Sequence, residues 1–222
     1  MEIKVLQDIL SANEALARNN RKLLDANGIL AINIMSSPGA GKTSLILETI
    51  NKLKGKAQIA VIEGDVASTI DADKVQKAGI PVVQINTEGG CHLEANMISK
   101  ALSSLSLKDT DLLLIENVGN LICPAGFALG EHKKVMLLSL PEGDDKPHKY
   151  PAMFTQADVV VLNKIDLRSL VDFDVAAFHQ AVTGVNIKAK IFEISCKSGE
   201  GLEEWLSWLN DELALIRAKA RK

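Results

Sequence analysis

Apolar positions fall into two patterns along this chain. Over residues 4–26, Leu6, Ile9, Leu10, Leu16, Leu23 and Leu24 recur mostly at helical spacing, with Lys4, Asp8, Arg18, Arg21 and Lys22 among them. That periodicity predicts an amphipathic helix, and Gly28 is placed to end it as a left-handed cap. Two readings of the helix stand: it packs on its own domain, or it is an arm whose leucine face docks a partner. From Ile29 the pattern changes to short apolar runs: ILAINIM (29–35), AQIAVIE (57–63), PVVQI (81–85), DLLLIE (111–116), KVMLLSL (134–140), DVVVLN (158–163) and AKIFEIS (189–195). Amphipathic stretches near 42–54, 71–78, 93–105, 173–183 and 200–217 separate them. Continuous Val/Ile/Leu strands joined by helices predict an α/β fold, a mainly parallel seven-stranded sheet with helices on both faces. The expected organisation is an N-terminal helical arm, 1–28, followed by one domain, 29–222, with no repeat or low-complexity segment.

Composition narrows the function classes. A hydrophobic fraction of 47% with 24% charged residues is that of a globular chain and excludes disordered or fibrous classes. A net charge of −3 argues against a nucleic-acid partner held by bulk charge. No apolar run approaches the roughly 18 residues of a membrane helix, and MEIKVLQDIL lacks the pattern of a signal peptide. A cytoplasmic location is the expectation. Three widely spaced cysteines, Cys91, Cys123 and Cys196, do not make a disulfide framework. They are buried hydrophobes or ligands.

The first run leads into Ser36-Ser37-Pro38-Gly39-Ala40-Gly41-Lys42-Thr43, a phosphate-binding loop between a strand and a helix. Its glycines let the backbone of Ser37, Pro38, Gly39, Ala40, Gly41, Lys42, Thr43 and Ser44 curl around phosphates at a helix N-terminus, with every residue but Pro38 offering an N–H. Lys42 supplies a charge to the β and γ oxygens, and the Thr43 hydroxyl is placed to ligate Mg²⁺. Ser36 replaces the usual first glycine.

Asn163-Lys164-Ile165-Asp166 follows the run DVVVL and resembles the guanine-reading loop of GTPases. The Asp166 carboxylate is suited to accept from guanine N1–H and the 2-amino group, a donor pair that adenine lacks. The Lys164 stem is placed to cover the base and Asn163 to tie the loop to the phosphate loop. Ser195-Cys196-Lys197, after the last run, resembles the second guanine loop. The nucleotide expected is GTP.

DLLLI ends in Glu116-Asn117-Val118-Gly119, where GTPases commonly carry Asp-x-x-Gly. Glu116 then holds Mg²⁺ and the Gly119 N–H senses the γ-phosphate, which makes Lys42, Thr43, Glu116 and Gly119 the candidate catalytic set. Asn120 stands where many GTPases carry a water-orienting glutamine, so slow hydrolysis is expected. Asp71 and Asp65 are alternative acids to complete the Mg²⁺ shell.

Cys91 and His92 follow Gly89-Gly90, and Cys123 lies four residues after Gly119. Thiolate and imidazole suit Zn²⁺ or Ni²⁺. Three ligands do not close a tetrahedral site, and a site shared across a two-fold axis is one way to complete it. His132, His148 and His179 are scattered and read as surface or structural residues.

With SSPGAGKT (36–43), EGGCHLEA (88–95), ENVGNLICPAGFALGEHKK (116–134), EGDDKPHKYP (142–151) and NKIDL (163–167), the chain resembles the HypB family, GTPases that help insert nickel into nickel–iron hydrogenase. The resemblance extends from about residue 4 to the C-terminus. It implies a P-loop NTPase of the SIMIBI-like class, alongside urease and signal-recognition GTPases. It further implies a GTP-dependent homodimer, slow hydrolysis, nickel or zinc at Cys91, His92 and Cys123, and Asp71 rather than Asp65 as the switch acid. The implied partners are a small zinc-containing nickel chaperone and, indirectly, the hydrogenase large subunit. The Cys-x-x-Cys motif or histidine tract with which some members begin is missing here, so nickel storage is not expected.

Overall fold

The computed structural model describes residues 2–66 and 68–220, with side chains from Leu10 onward. Seven strands form one sheet in which every neighbouring pair is parallel: β1 (Leu30–Ser36), β2 (Ile59–Asp65), β3 (Val82–Asn86), β4 (Leu112–Glu116), β5 (Lys133–Ser139), β6 (Val159–Asn163) and β7 (Lys190–Glu193), in the order β3-β2-β4-β1-β5-β6-β7. All seven apolar runs become strands. The central ones are apolar throughout because both faces are covered. Leu30, Ile32 and Ile34 of β1 join the core shared with α2 (Lys42–Leu53), α3 (Ile70–Lys77) and α8 (Leu202–Ala220), while Ala31 faces α4 (Ala95–Leu102). Further along the second face, α6 (Pro151–Thr155) and α7 (Val175–Val185) supply Phe154 and Phe178. Trp205 of α8 is fully buried and its indole N–H donates to Thr49 Oγ1 of α2 at 3.0 Å, so the first layer is fixed by a directed bond as well as by packing.

Every parallel strand ends on one edge of the sheet, and the order reverses around β1. Such a switch point opens a crevice at the carboxyl ends, and the loop after β1 sits in it. Two short helices, α5 (Lys146–Lys149) inside the EGDDKPHKYP stretch and α6 starting at its last residue, lie outside the predicted elements. Each has proline in its first turn, which suits a helix start but interrupts any apolar periodicity. Among the described residues, no helix is long and apolar enough to cross a membrane.

The first helix, α1 (Glu2–Ala26), ends as expected. Gly28 has φ +67°, the Gly28 N–H reaches Asp25 O, and the Ile29 N–H reaches Leu24 O, the two bonds of a Schellman turn. The helix packs on its own domain, which is the first of the two readings. The buried stripe is Asn13, Ala17, Asn20 and Leu24, whereas Leu16 and Leu23 are exposed. Leu6 and Ile9 lie outside the described side chains. Asn20 Nδ2 donates to Ala95 O and Leu129 O, Asn13 Nδ2 to Ala128 O, and Arg21 Nε to Gly130 O. His132 is structural, as expected: Nδ1 accepts from the Ala31 N–H, and Nε2 meets Asp25 at 2.9 Å. From Asn13 onward the helix is thus part of the body, and residue 28 marks a turn without a break in packing.

Asn20→Ala tests that conclusion. Two buried carbonyls would lose their donor, each worth about 1–3 kcal/mol. Denaturant unfolding should show a loss of about 2–4 kcal/mol. A loss below about 0.5 kcal/mol, the level of an ordinary surface change, would restore the independent arm.

Candidate functional site

The phosphate loop has the backbone that its glycines allow. Gly39 and Gly41 have φ +78° and +108°. A Cβ on Gly41 would stand 2.4 Å from Asn163 Nδ2, so only glycine lets the base-reading loop approach. Ser37 and Gly39 flank Pro38 at the surface, Ala40 is buried beneath them, and Ser44 opens toward the neighbouring cavity. Lys42 is 9% exposed; its Nζ donates to Ser36 Oγ at 3.2 Å and stands 3.9 Å from Glu116 Oε1. Ser36, in place of glycine, thus holds the lysine. Ser37 Oγ donates to Glu142, whose other oxygen accepts from the Ser139 N–H and hydroxyl.

The base-reading residues converge beside this loop. Asn163 Nδ2 donates to Ala40 O at 2.9 Å, and its Oδ1 accepts from the Cys196 N–H at 3.2 Å. Lys164 adopts left-handed φ, +62°, and its Nζ donates to Gly39 O at 2.8 Å. Ser195 Oγ donates to Asp166 Oδ1 at 2.6 Å and pins the carboxylate in place. Gly41, Ser44, Asn163, Lys164, Asp166, Cys196 and Lys197 line a cavity of about 300 Å³. Burial pushes the Cys196 thiol up to about 12, so it stays a neutral wall residue.

A second cavity, about 250 Å³, opens on the other side of the phosphate loop and is lined by Pro38, Lys42, Glu63, Asp71, Glu116 and Gly119 among others. Gly119 lies against Pro38, where an added Cβ would stand 3.0 Å from the backbone nitrogen. Thr43 Oγ1 donates to Glu116 Oε1 at 3.0 Å. Single carboxylate oxygens of Glu63, Asp71 and Glu116 lie within 4.8 Å of one another. Of the two alternative acids, Asp71 joins this group; Asp65 caps its own loop by accepting from the Ser68 N–H. Glu63 was not singled out from the sequence. It pairs in register with Glu116, since β2 and β4 are neighbours, so both side chains point the same way. Burial, with Glu116 beside it, pushes Glu63 up to about 10, and burial raises Glu116 too. Glu63 Oε2 and Glu116 Oε2 are buried and receive no hydrogen bond. A hydroxyl and three carboxylates, two of them with a bare buried oxygen, fit a hard divalent cation such as Mg²⁺.

Cys91, His92 and Cys123 also come together, their ligand atoms within 4.8 Å of one another in a single chain. Cys91 and His92 lie between β3 and α4, and Cys123 opens a 3₁₀ turn, Cys123–Gly126. Cys91 Sγ is 3.5 Å from His92 Nδ1, and the imidazole stacks on Phe127 with centroids 3.9 Å apart. A hydrogen bond to Cys123, with burial, raises the Cys91 thiol; burial lowers His92, which favours the neutral ligating imidazole. His92 Nε2 is buried without a hydrogen-bonding partner. Two sulfurs and an imidazole suit Ni²⁺ or Zn²⁺, with a coordination position to spare.

Two asparagines tie these places together. The Asn120 N–H donates to Ser36 O of the phosphate loop at 2.8 Å, and Asn120 Oδ1 accepts from the Ile122 and Cys123 N–H groups at 2.8 and 3.4 Å. Asn117 Oδ1 accepts from the Leu93 N–H, next to His92, and from the Val118 N–H; its Nδ2 donates to Asn33 Oδ1. In the sequence, Asn120 had stood out only as a missing glutamine.

The chain is similar to known proteins of one family. The family described as CobW/HypB/UreG, nucleotide-binding domain, matches residues 30–193. The hydrogenase maturation factor HypB of Azotobacter vinelandii is 48% identical over 219 residues, 99% of this chain and 72% of that one. Crystal structures of HypB from Archaeoglobus fulgidus (43% identity, 91% of this chain and 99% of that one, TM-score 0.86) and of HypB from Helicobacter pylori in complex with nickel (38%, 91% and 95%, TM-score 0.87) share the fold. With a matched domain that runs from the first strand into the last, and relatives alike over nearly all of its length, the chain belongs to the CobW/HypB/UreG family and, within it, to HypB.

Proposed function

We propose that this chain is a GTP-hydrolysing metallochaperone that handles nickel for nickel–iron hydrogenase maturation. The observation that carries the reading is the position of the Cys91–His92–Cys123 cluster at the end of the segment that leaves the nucleotide crevice, joined to the phosphate loop through Asn120.

GTP enters with its base in the cavity beside Asp166 and its phosphates in the loop Ser37–Ser44. Asp166 and a backbone N–H of the Ser195-Cys196-Lys197 loop read the guanine edge, Lys164 covers the ring, and Lys197 borders it. Thr43, Glu116 and Asp71 are the residues to hold Mg²⁺, which neutralises charge developing on the phosphates. Lys42 leaves Ser36 and Glu116 for the β and γ oxygens, and the Gly119 N–H meets the γ-phosphate. Water attacks the γ-phosphorus, the bond to the β–γ bridging oxygen breaks, and GDP and phosphate leave. No glutamine follows Gly119, so turnover is slow, far below a typical enzyme's roughly 10 per second.

Nickel is the cargo, taken by Cys91, His92 and Cys123; zinc suits the same ligands. Pulling Gly119 onto the γ-phosphate draws on Asn120 and hence on the Cys123 N–H, which alters the spacing of the three ligands. A homodimer formed with GTP would bring two such clusters near each other and supply the missing ligand. The exposed outer stripe of α1, Leu16 and Leu23, is a docking face for a small zinc-containing nickel chaperone, with the hydrogenase large subunit as the eventual recipient. On this reading residues 1–28 are an accessory segment of the GTPase domain 29–222, which acts in the cytoplasm.

The test is a Ni²⁺ titration with GDP and with a non-hydrolysable GTP analogue, following the thiolate charge-transfer band. Affinity and oligomeric state should differ between the two nucleotides. Coupling is reciprocal, so nickel should change GTP-analogue affinity by the same factor. Cys91→Ala or Cys123→Ala should abolish the band. Identical affinities with both nucleotides would leave a GTPase and a metal site that merely share a chain.

A further inference from the structure

The acidic group in the second cavity holds more carboxylate than the nucleotide reading uses. Glu63 is 2% exposed and Glu116 3%, yet each keeps a buried Oε2 with no hydrogen-bonding partner. Strand register fixes their adjacency: Glu63↔Glu116 is a paired position of neighbouring strands. Asp71 closes the third side from the start of α3. Lys42 stands on the Oε1 side of Glu116, 3.9 Å away, and does not cover the bare oxygens. Three carboxylates face two ammoniums, Lys42 beside Glu116 and Lys74 on Asp71 at 2.6 Å, and neither ammonium reaches the bare Oε2 atoms of Glu63 and Glu116, which a hard cation would meet. Burying such oxygens uncompensated is costly, and an oxygen-only donor set selects a hard ion.

We propose that Glu63, Asp71 and Glu116 bind a hard divalent cation in the nucleotide-free chain, so that the metal is in place before the nucleotide arrives. This rests on reading the cavity as the Mg²⁺ position of the nucleotide site and adds an order of assembly to it. A phosphate loop with a single acid acquires its metal together with the triphosphate. Here Glu63 supplies the extra carboxylate that lets protein alone hold the ion, and Thr43 lies beside it with its hydroxyl already on Glu116. The incoming nucleotide would then displace water from a bound ion and meet less repulsion from the carboxylates.

The experiment uses the full chain carrying Cys91→Ala and Cys123→Ala, which silences the softer site, freed of nucleotide. Mn²⁺ is the probe, its free concentration read by electron paramagnetic resonance, with Mg²⁺ as competitor. One Mn²⁺ per chain should bind and be displaced by Mg²⁺. Glu63→Gln, which keeps shape and removes charge, should raise the apparent Kd at least about tenfold. Asp71→Asn should do the same from a partly exposed helix position, where folding is not at stake. No Mn²⁺ bound without nucleotide, or binding indifferent to both substitutions, overturns the proposal. Mg²⁺-dependent binding of a fluorescent GTP analogue, lost in Thr43→Ala, is followed in parallel. If that dependence stands while Mn²⁺ alone fails to bind, the order of assembly is wrong and the nucleotide reading survives.

Discussion

Asp166→Asn should weaken GTP binding by about 30-fold to nearly a thousand-fold and should raise affinity for xanthosine triphosphate. The carboxylate accepts from the Ser195 hydroxyl at 2.6 Å through Oδ1, which fixes its plane at the mouth of the base cavity. In that plane it meets guanine N1–H and the 2-amino group as a charged bidentate acceptor, worth about 2–4 kcal/mol. The amide keeps the bond from Ser195 and one acceptor but turns the other into a donor, which faces the 2-amino donor of guanine. Xanthine has a 2-oxo group there and reverses the mismatch. Equilibrium titration of the two nucleotides measures both changes. Unchanged GTP affinity would remove Asp166 from base recognition and with it the case for guanine.

Lys42→Ala is expected to lower single-turnover phosphate release by about 100-fold to 1000-fold, the cost of losing one preorganised charge at a developing anion. The side chain is buried and gathered by Ser36 and Glu116, so it is already aimed along the loop before any phosphate is present. Lys42→Arg keeps the charge in a planar fork that does not fit the space of a single ammonium and should recover little activity. A rate within a few-fold of the unaltered chain in Lys42→Ala would mean that the phosphate charge is met elsewhere.

What was legible in the sequence was whatever is local or carried by strong periodicity. The seven apolar runs predicted the seven strands to within a residue or two, because a strand buried on both faces has little choice of composition. The phosphate loop and the Asn163–Asp166 loop are contiguous, and their internal geometry follows from glycines and side-chain length. Cys91, His92 and Cys123 stood out by the chemistry of thiolate and imidazole, and the structure brings their ligand atoms together within one chain. Glu63 was hidden for a different reason. It ends the run AVIE as Glu116 ends LLLIE, a matching signal, but only the insertion of β4 beside β2 makes them neighbours. For α1 the leucine spacing left two readings open, and the residues that tie the helix to the body are asparagines, which that spacing does not register. Asn13 and Asn20 face inward because the carbonyls of Ala95, Ala128 and Leu129 await donors, and residues so far away in sequence leave no mark on helical periodicity.

The strand order also governs how the chain comes off the ribosome. Leu30 of β1 pairs with Leu112 of β4, about 80 residues later, and the other edge of β1 waits for β5. At roughly 5–20 residues per second, this central strand, buried along its whole length in the finished sheet, spends several seconds with both edges bare. Its natural neighbour cannot form sooner, since β2 and β3 pair with each other and leave a gap that β4 must fill. Such pairings at long range are slow and expose sticky edges meanwhile. Nascent chains halted before residue 112 should therefore be substrates for chaperones and for proteolysis. The phosphate loop, which hangs from the end of β1, should acquire nucleotide affinity only once β4 and β5 have emerged, late in synthesis and all at once.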